Sequence, residues 1–279
     1  MAMSSITLQQ VQEDPKRKDI FGILNDYIQP DSSTPASQAA SSYSQSVKPQ
    51  DEGFFWDFWD QIFSVAEQLP HDNPAQDKLV AFLRELTLVP GTGDKVWGAR
   101  VWTDLPLLGA AIREHLDQPS PPSNEDDEQS AHNNEAWISF HAFVARLLHA
   151  GISPGSETTA IWMLRAALEQ QDAKPTDGNG RAFDRDLATA AVYIEYAGAT
   201  LVQALALQPE PQLDEAQQRA LKGGALWKGK SGLTAERWAF WGRRFRDQAE
   251  SATGRDAKAL AGHAARLIEV WGTTRLSST

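Results

Sequence analysis

Cysteine is absent from this sequence of 279 residues. Without it the chain forms no disulfide, offers no thiolate ligand to a metal and has no cysteine nucleophile. Long apolar runs are missing too, since no uncharged stretch approaches the ~18 residues that a membrane span needs. The first twelve residues lack the apolar core of a signal peptide. We therefore expect a cytoplasmic or nuclear protein that has no membrane partner.

Basic residues are in short supply, and the formal net charge is −11. Binding to nucleic acid depends on lysine and arginine at phosphates, so this balance predicts no nucleic-acid partner. The charge is nevertheless uneven. Residues 125–128 are four consecutive acids, whereas residues 222–246 hold seven basic residues against the single acid Glu236. We expect Arg243, Arg244 and Arg246 to be solvated or to pair with this acidic segment.

Apolar residues recur at spacings of three and four, which is the pattern of helices that bury one face. The clearest case runs from Phe55 through Phe58, Trp59 and Ile62 to Leu69. No alternating pattern of convincing length predicts strands. The fold class we predict is all-α: a single irregular bundle of about eight or nine helices with a tethered N-terminal helix. Its longest helix, residues 184–207, should occupy the centre.

Composition divides the chain into four predicted parts. Residues 1–30 form an amphipathic arm, and residues 31–50, rich in serine, form a flexible linker. Residues 51–272 form the helical domain, with a disordered acidic loop at 117–134, and residues 273–279 form a tail. The linker is long enough for the arm to dock on its own domain or on a second copy. A protein partner or a homo-oligomer formed through the arm follows as an expectation.

A phosphate-binding template occurs at residues 224–231, which read GALWKGKS and match G-x-x-x-x-G-K-S. That chemistry needs backbone amides around the phosphates, Lys230 on the β/γ oxygens and Ser231 on magnesium. It also needs a buried strand before the loop, but residues 214–222 read as a polar helix. The pattern therefore favours a glycine-rich connector, and nucleotide binding is retained as the weaker alternative.

Aromatic and basic residues alternate at residues 237–246, just after this loop. Helical spacing places Trp238, Trp241 and Phe245 on one face, where packing in the core is the ordinary outcome. A second interpretation is a pocket or binding surface. Its candidate residues are the indoles and the ionisable groups that could converge on a ligand: Trp102, Glu195, Trp227, Arg237 and Trp238.

Catalytic and metal-binding patterns are otherwise sparse. His141 and His149 are eight residues apart, about two helical turns, and no H-E-x-x-H or comparable carboxylate spacing accompanies them. Glu195 interrupts an apolar helix, where a carboxylate could have a raised pKa or could simply face solvent or an arginine. No Ser/His/Asp set is evident. We predict neither a metal nor a cofactor, assign no catalytic residue and leave open whether the protein is an enzyme.

Three segments carry a resemblance to a known family. They read FFWDFW at 54–59, VWTDLPLLG at 101–109, and LW at 226–227 followed by Gly229 and ERWAFW at 236–241. Over roughly residues 53–271 the chain resembles a fungal, mainly ascomycete, family known only as a domain of unknown function. The resemblance implies that the phosphate-loop pattern belongs to a loop leading into an aromatic helix. It implies no activity, cofactor or catalytic residue.

A non-enzymatic protein-interaction or scaffold module is the function that these features favour. The alternative is a small-molecule-binding protein or enzyme with a pocket lined by tryptophan and arginine.

Overall fold

The computed structural model describes residues 5–8, 15–49, 51–91, 93–117, 127–170, 181–208 and 212–276. Helices dominate, and within these ranges the only strands form a two-stranded hairpin. This confirms the predicted all-α class. The chain divides into two compact units, an N-terminal unit of residues 1–120 and a C-terminal unit of residues 121–279. That boundary lies inside the region predicted as one domain, residues 51–272.

Five helices and one hairpin make up the described part of the N-terminal unit. They are α1 (Pro15–Ile28), α2 (Ala36–Ser46), α3 (Glu52–Gln68), α4 (Ala75–Leu88), β1 (Lys95–Val96), β2 (Ala99–Arg100) and α5 (Leu108–Leu116). Asp51 caps α3, because its side chain accepts a hydrogen bond from the Phe54 amide at 3.0 Å. The predicted apolar stripe of α3 is buried as expected.

Helix α2 lies where the sequence predicted a flexible linker, residues 31–50, and here the structure differs from the prediction. Ala39, Ala40 and Tyr43 are buried on one face of the helix. The Tyr43 ring contacts Phe58 and Phe82, with ring centroids 5.6 and 5.5 Å apart. Three buried residues on one face are thus enough to dock α2, although serine is common in its sequence.

The N-terminal arm docks on its own unit. Lys78 on α4 donates from Nζ to the carbonyls of Tyr27 at 3.3 Å and Gln29 at 2.6 Å, near the C-terminal end of α1. The Tyr27 hydroxyl donates in return to the Lys78 carbonyl at 3.0 Å. A cation at the end of a helix satisfies its last carbonyls and complements its dipole. Through these contacts the arm binds to α4 of the same chain. Its role in an oligomer stays a prediction.

A tight hairpin turn at Trp97 and Gly98 joins β1 to β2, which pair antiparallel with Val96 opposite Ala99. Both turn residues have positive φ, 51° and 81°, as a type I′ turn requires. Asparagine or aspartate normally precedes the glycine in such a turn, so a tryptophan there is unusual. The hairpin therefore presents an indole at its tip.

Six α-helices form the described part of the C-terminal unit. They are α6 (Asp127–His149), α7 (Ser156–Leu168), α8 (Arg181–Leu207), α9 (Glu215–Ala220), α10 (Ala235–Ser251) and α11 (Arg255–Trp271), followed by a π-helical turn at Gly272–Leu276. Helix α8 packs against α6, α7 and α11. Gly198 on α8 leaves room for the Trp271 ring, which an added Cβ would strike. Within this unit α8 is thus the central helix, as predicted for residues 184–207.

Among the described helices, α8 alone has the length and apolar composition that a membrane crossing requires. A core helix meets the same requirement, and 56% of its most apolar window is buried. This is weak evidence for a membrane span, and the expectation of no membrane partner stays a prediction.

Two predicted irregular segments fall partly outside the described residues. Of the acidic loop predicted at 117–134, residues 118–126 lie outside them, and residues 127–134 belong to α6. Of the predicted tail, residues 273–276 belong to the π-helical turn, and 277–279 lie outside. Part of the predicted acidic loop and part of the predicted tail are therefore helical.

Candidate functional site

A buried carboxylate organises the region around the phosphate-loop pattern. Glu169, the C-cap of α7, has a side chain with no exposed surface. Its Oε1 accepts from Arg237 Nε and from Trp241 Nε1, both at 2.7 Å. Its Oε2 accepts from Arg237 Nη2 at 3.1 Å and from the Gly224 amide at 2.6 Å. Each carboxylate oxygen thus has two donors.

The Arg237 guanidinium is equally buried and carries the network to the loop. It sits in the first turn of α10, whose N-cap Thr234 accepts from the Arg237 amide at 3.2 Å. Its Nη1 donates to the carbonyls of Leu221 at 2.8 Å and Gly232 at 2.9 Å. Burying two charges is costly, and the ion pair is tolerated only when hydrogen bonds also satisfy the remaining polar atoms. Arg237 and Glu169 meet that condition, and together they fix both ends of residues 221–232.

The phosphate-loop pattern has the geometry of a helix connector. It follows α9, a short helix, and three further residues separate Ser231 from α10. Three of its amides bind acceptors within the protein: Gly224 the Glu169 carboxylate, Leu226 the Glu169 carbonyl at 2.9 Å, and Trp227 the Gly224 carbonyl at 3.1 Å. A phosphate cradle needs such amides to point at the ligand. Residues 224–231 therefore form a loop that connects two helices, as the sequence pattern favoured.

The glycines of this loop have a packing explanation. A Cβ on Gly224 would lie 2.7 Å from both the Cβ and the backbone oxygen of Glu169. A Cβ on Gly223 or Gly229 would strike the Trp227 indole, which lies across both residues. Trp227 also donates from Nε1 to the Lys230 carbonyl at 2.9 Å and packs on Phe240, with ring centroids 5.4 Å apart. Close approach by an indole and a backbone therefore accounts for the glycine spacing.

The five sequence-predicted residues have separate environments. Trp102 belongs to the N-terminal unit and is buried among Tyr43, Phe55 and Phe58. In the C-terminal unit, Trp238 is buried and donates from Nε1 to the Ile268 carbonyl at 3.1 Å. Trp227 lies in the loop, where it contacts Lys230 and Phe240, whereas Arg237 lies on α10 and binds Glu169.

Glu195, the fifth residue, is partly exposed on α8, and its Oε2 lies 2.7 Å from Nδ1 of His263 on α11. Sequence reasoning anticipated solvent or an arginine there. A histidine partner joins two neighbouring helices of the unit.

Two histidines of α6, His141 and His149, each contact a hydroxyl on α8. His141 Nδ1 lies 2.9 Å from the Tyr193 hydroxyl, and His149 Nδ1 lies 3.0 Å from Thr200 Oγ1. Burial raises the pKa of Tyr193 well above its ordinary value of 10.0. Across the described ranges, no group of three or more histidine or acidic side chains is placed to hold a metal ion. The geometry of these histidines is that of interhelical pairing.

Comparison with known proteins identifies the family. The model of DUF3632, described as a protein of unknown function, matches residues 59–245, which is more than half of the chain. The chain belongs to the DUF3632 family. No curated protein and no solved structure matches it. The residues of the Glu169 network all lie inside the region that this DUF3632 model matches.

A second carboxylate with indole partners lies in the N-terminal unit, and sequence reasoning missed it. Glu52, in the first turn of α3, accepts at Oε1 from Trp56 Nε1 and at Oε2 from Trp97 Nε1, both at 3.0 Å. Trp56 is partly exposed and Trp97 is 71% exposed. The signal within α3 was a glutamate four residues before a tryptophan, a spacing that brings side chains together on a helix. Nothing local pointed to Trp97, 45 residues from Glu52.

Proposed function

We propose that this DUF3632 protein is a non-enzymatic helical protein-interaction module. The observation that carries the proposal is the exposed Trp97 indole, held in place by Glu52. Within the described residues, four large apolar side chains are strongly exposed: Leu88, Trp97, Leu207 and Val270. Three of them lie at or next to the end of a helix, where exposure is ordinary. Trp97 differs because it occupies a turn tip and its only polar atom is fixed.

Interfaces between proteins favour such a residue. Tryptophan is enriched among the side chains that dominate binding energy, because it combines a large apolar surface with one hydrogen-bond donor. Ordering a side chain on binding costs free energy, and a side chain already ordered avoids much of that cost. The hydrogen bond to Glu52 already orders the Trp97 side chain in the unbound protein.

The fate of the other candidate residues also supports an interaction role. Arg237, Trp238 and Trp102 are buried, and the polar atoms of Arg237 and Glu169 bind one another or the backbone. A ligand pocket lined by Trp102, Trp227, Arg237 or Trp238 would need those groups to face a cavity. We therefore rank the pocket alternative below an interaction role, and nucleotide binding at residues 224–231 below both.

A cytoplasmic or nuclear location, with neither nucleic acid nor membrane as partner, belongs to the same proposal. Its support is the absence of cysteine, the net charge of −11 and the apolar pattern of the sequence. A fungal origin and the block at 226–241 as the mark of the family are proposed on the resemblance alone.

The test is isolation of the tagged full chain from its native cells, followed by native mass spectrometry. We expect a second polypeptide at fixed stoichiometry. That polypeptide is then produced separately, and the complex is reconstituted from the two purified chains and weighed by light scattering. A chain that carries a tightly bound small molecule and forms no complex would overturn the proposal in favour of the pocket alternative.

A further inference from the structure

The two indoles on Glu52 form a fixed aromatic surface, which we call the Trp56/Trp97 surface and define as Glu52, Trp56 and Trp97. One carboxylate binds both indole N–H groups at 3.0 Å, one on each oxygen. Trp56 comes from α3 and Trp97 from the hairpin tip, so two elements of the N-terminal unit contribute. Neither indole N–H is left for a ligand, and the exposed ring surface is what a ligand can contact.

Such a surface favours a cation over other ligands. The face of an indole carries negative charge density and attracts ammonium and guanidinium groups. Donation of the indole N–H to a carboxylate pushes electron density into the ring, which strengthens that attraction. Glu52 itself adds a full negative charge at the edge of both rings. The indole faces and the Glu52 carboxylate therefore both attract a cation.

The surrounding charge reinforces this preference. Helix α3 carries the exposed acids Asp57 and Asp60, and no lysine or arginine occurs between Lys48 and Lys78. On the hairpin, Lys95 is exposed, and Arg100 is held by Asp104 at 2.7 Å. The helix that carries Trp56 therefore holds acids and no base, whereas the hairpin beside Trp97 holds Lys95 and the paired Arg100. Phosphate-bearing ligands, nucleic acid and anionic lipid included, would be repelled.

We infer that the Trp56/Trp97 surface binds an arginine- or lysine-bearing segment of a partner protein, with the basic side chain on the exposed face of Trp97. The inference rests on the proposed interaction function and names the surface and the chemistry of the partner. Charge complementarity between the acidic helix α3 and a basic segment selects this occupant.

Indole NMR on the intact chain tests the inference directly. The full chain is labelled with ¹⁵N at its ten tryptophan indoles, and the signals of Trp56 and Trp97 are assigned from Trp56→Phe and Trp97→Phe variants. The probe is the peptide Gly-Ser-Arg-Gly-Arg-Ser-Gly, and the matched probe carries glutamate in place of both arginines. We expect saturable movement of the Trp56 and Trp97 signals with the arginine peptide and none with the glutamate peptide.

Variants separate a specific surface from general charge attraction. Trp97→Ala should weaken binding of the arginine peptide by about two- to fivefold, the size of one lost cation–π contact at an exposed site. Glu52→Gln should weaken it as well. Leu88→Ala is the matched control, because Leu88 is 69% exposed in the same unit but lies at the end of α4. The Leu88→Ala variant should bind the arginine peptide with the affinity of the wild type.

Three results would overturn the inference: no saturable movement with the arginine peptide, equal movement with the glutamate peptide, or unchanged affinity in Trp97→Ala. Failure here is distinct from failure of the proposed function. If the reconstituted complex forms equally well with Trp97→Ala, the protein remains an interaction module and only this surface is excluded. If the arginine peptide binds but no complex forms, the surface stands and the proposed function fails.

Discussion

Glu169 and Glu52 each bind indole N–H groups, yet they occupy opposite environments. Glu169 lies in the interior of the C-terminal unit and receives four hydrogen bonds from Arg237, Trp241 and Gly224. Glu52 lies on the surface of the N-terminal unit and receives two, from Trp56 and Trp97. The buried group has no capacity left for a ligand, whereas the exposed group holds two rings in place for contact. Burial, rather than residue type, thus separates a structural carboxylate from a candidate binding one.

Removing the charge of the buried carboxylate should have the largest effect. In Glu169→Gln the Arg237 guanidinium stays buried without its counterion, which costs about 3–5 kcal/mol of the free energy of unfolding. Urea unfolding followed by circular dichroism measures this loss. The double variant Glu169→Leu with Arg237→Met removes both charges and should recover part of it. A loss below about 1 kcal/mol in Glu169→Gln would contradict a desolvated ion pair.

The glycine against Glu169 gives the second-largest effect. Gly224→Ala places a methyl group 2.7 Å from the Glu169 backbone oxygen, so the loop must shift. Overpacking of this kind costs about 1–3 kcal/mol. Gly109→Ala is the matched control, because no atom lies within 4 Å of its added Cβ in α5. Thermal unfolding should show a lower midpoint for Gly224→Ala only, and equal midpoints would argue against close packing of the loop.

The exposed carboxylate should contribute little to stability. Glu52→Gln keeps an oxygen for one indole and loses a charge that solvent already screens, so we expect a loss of about 1 kcal/mol or less. Its effect should appear instead in the mobility of Trp97, measured as a shorter fluorescence-anisotropy decay in a chain where Trp97 alone carries a 5-fluoroindole. If Glu52→Gln destabilised the protein as strongly as Glu169→Gln, the contrast between the two carboxylates would be lost.

Local patterns predicted the helices better than the site. The stripe on α3 and the central α8 follow from apolar spacing, and Trp238, Trp241 and Phe245 are buried on one face. Helix α2 was missed because its apolar face consists of alanines and one tyrosine among serines. Glu169 was missed because its partner Arg237 is 68 residues away, and no short-range pattern encodes such a contact. Trp97 was missed for the same reason and because its positive φ is atypical of its residue type.

The smallest effect concerns an exposed ion pair at the base of the hairpin. Hydrogen bonds from the Arg100 side chain and amide lower the pKa of Asp104 from 3.8 to about 2. A carboxyl whose pKa is lower in the folded state stabilises the fold at any pH above its unfolded-state pKa, and that contribution is lost as pH falls from about 4 to about 2.

Carboxyl ¹³C NMR should show Asp104 titrating near 2, and Arg100→Met should return its pKa toward 3.8. Because both side chains are solvent-accessible, the accompanying change in stability should stay well below that of Glu169→Gln. An Asp104 that titrates near 4 in the wild type would mean that Arg100 is not held, and the surface beside Trp97 would then carry one more uncommitted positive charge.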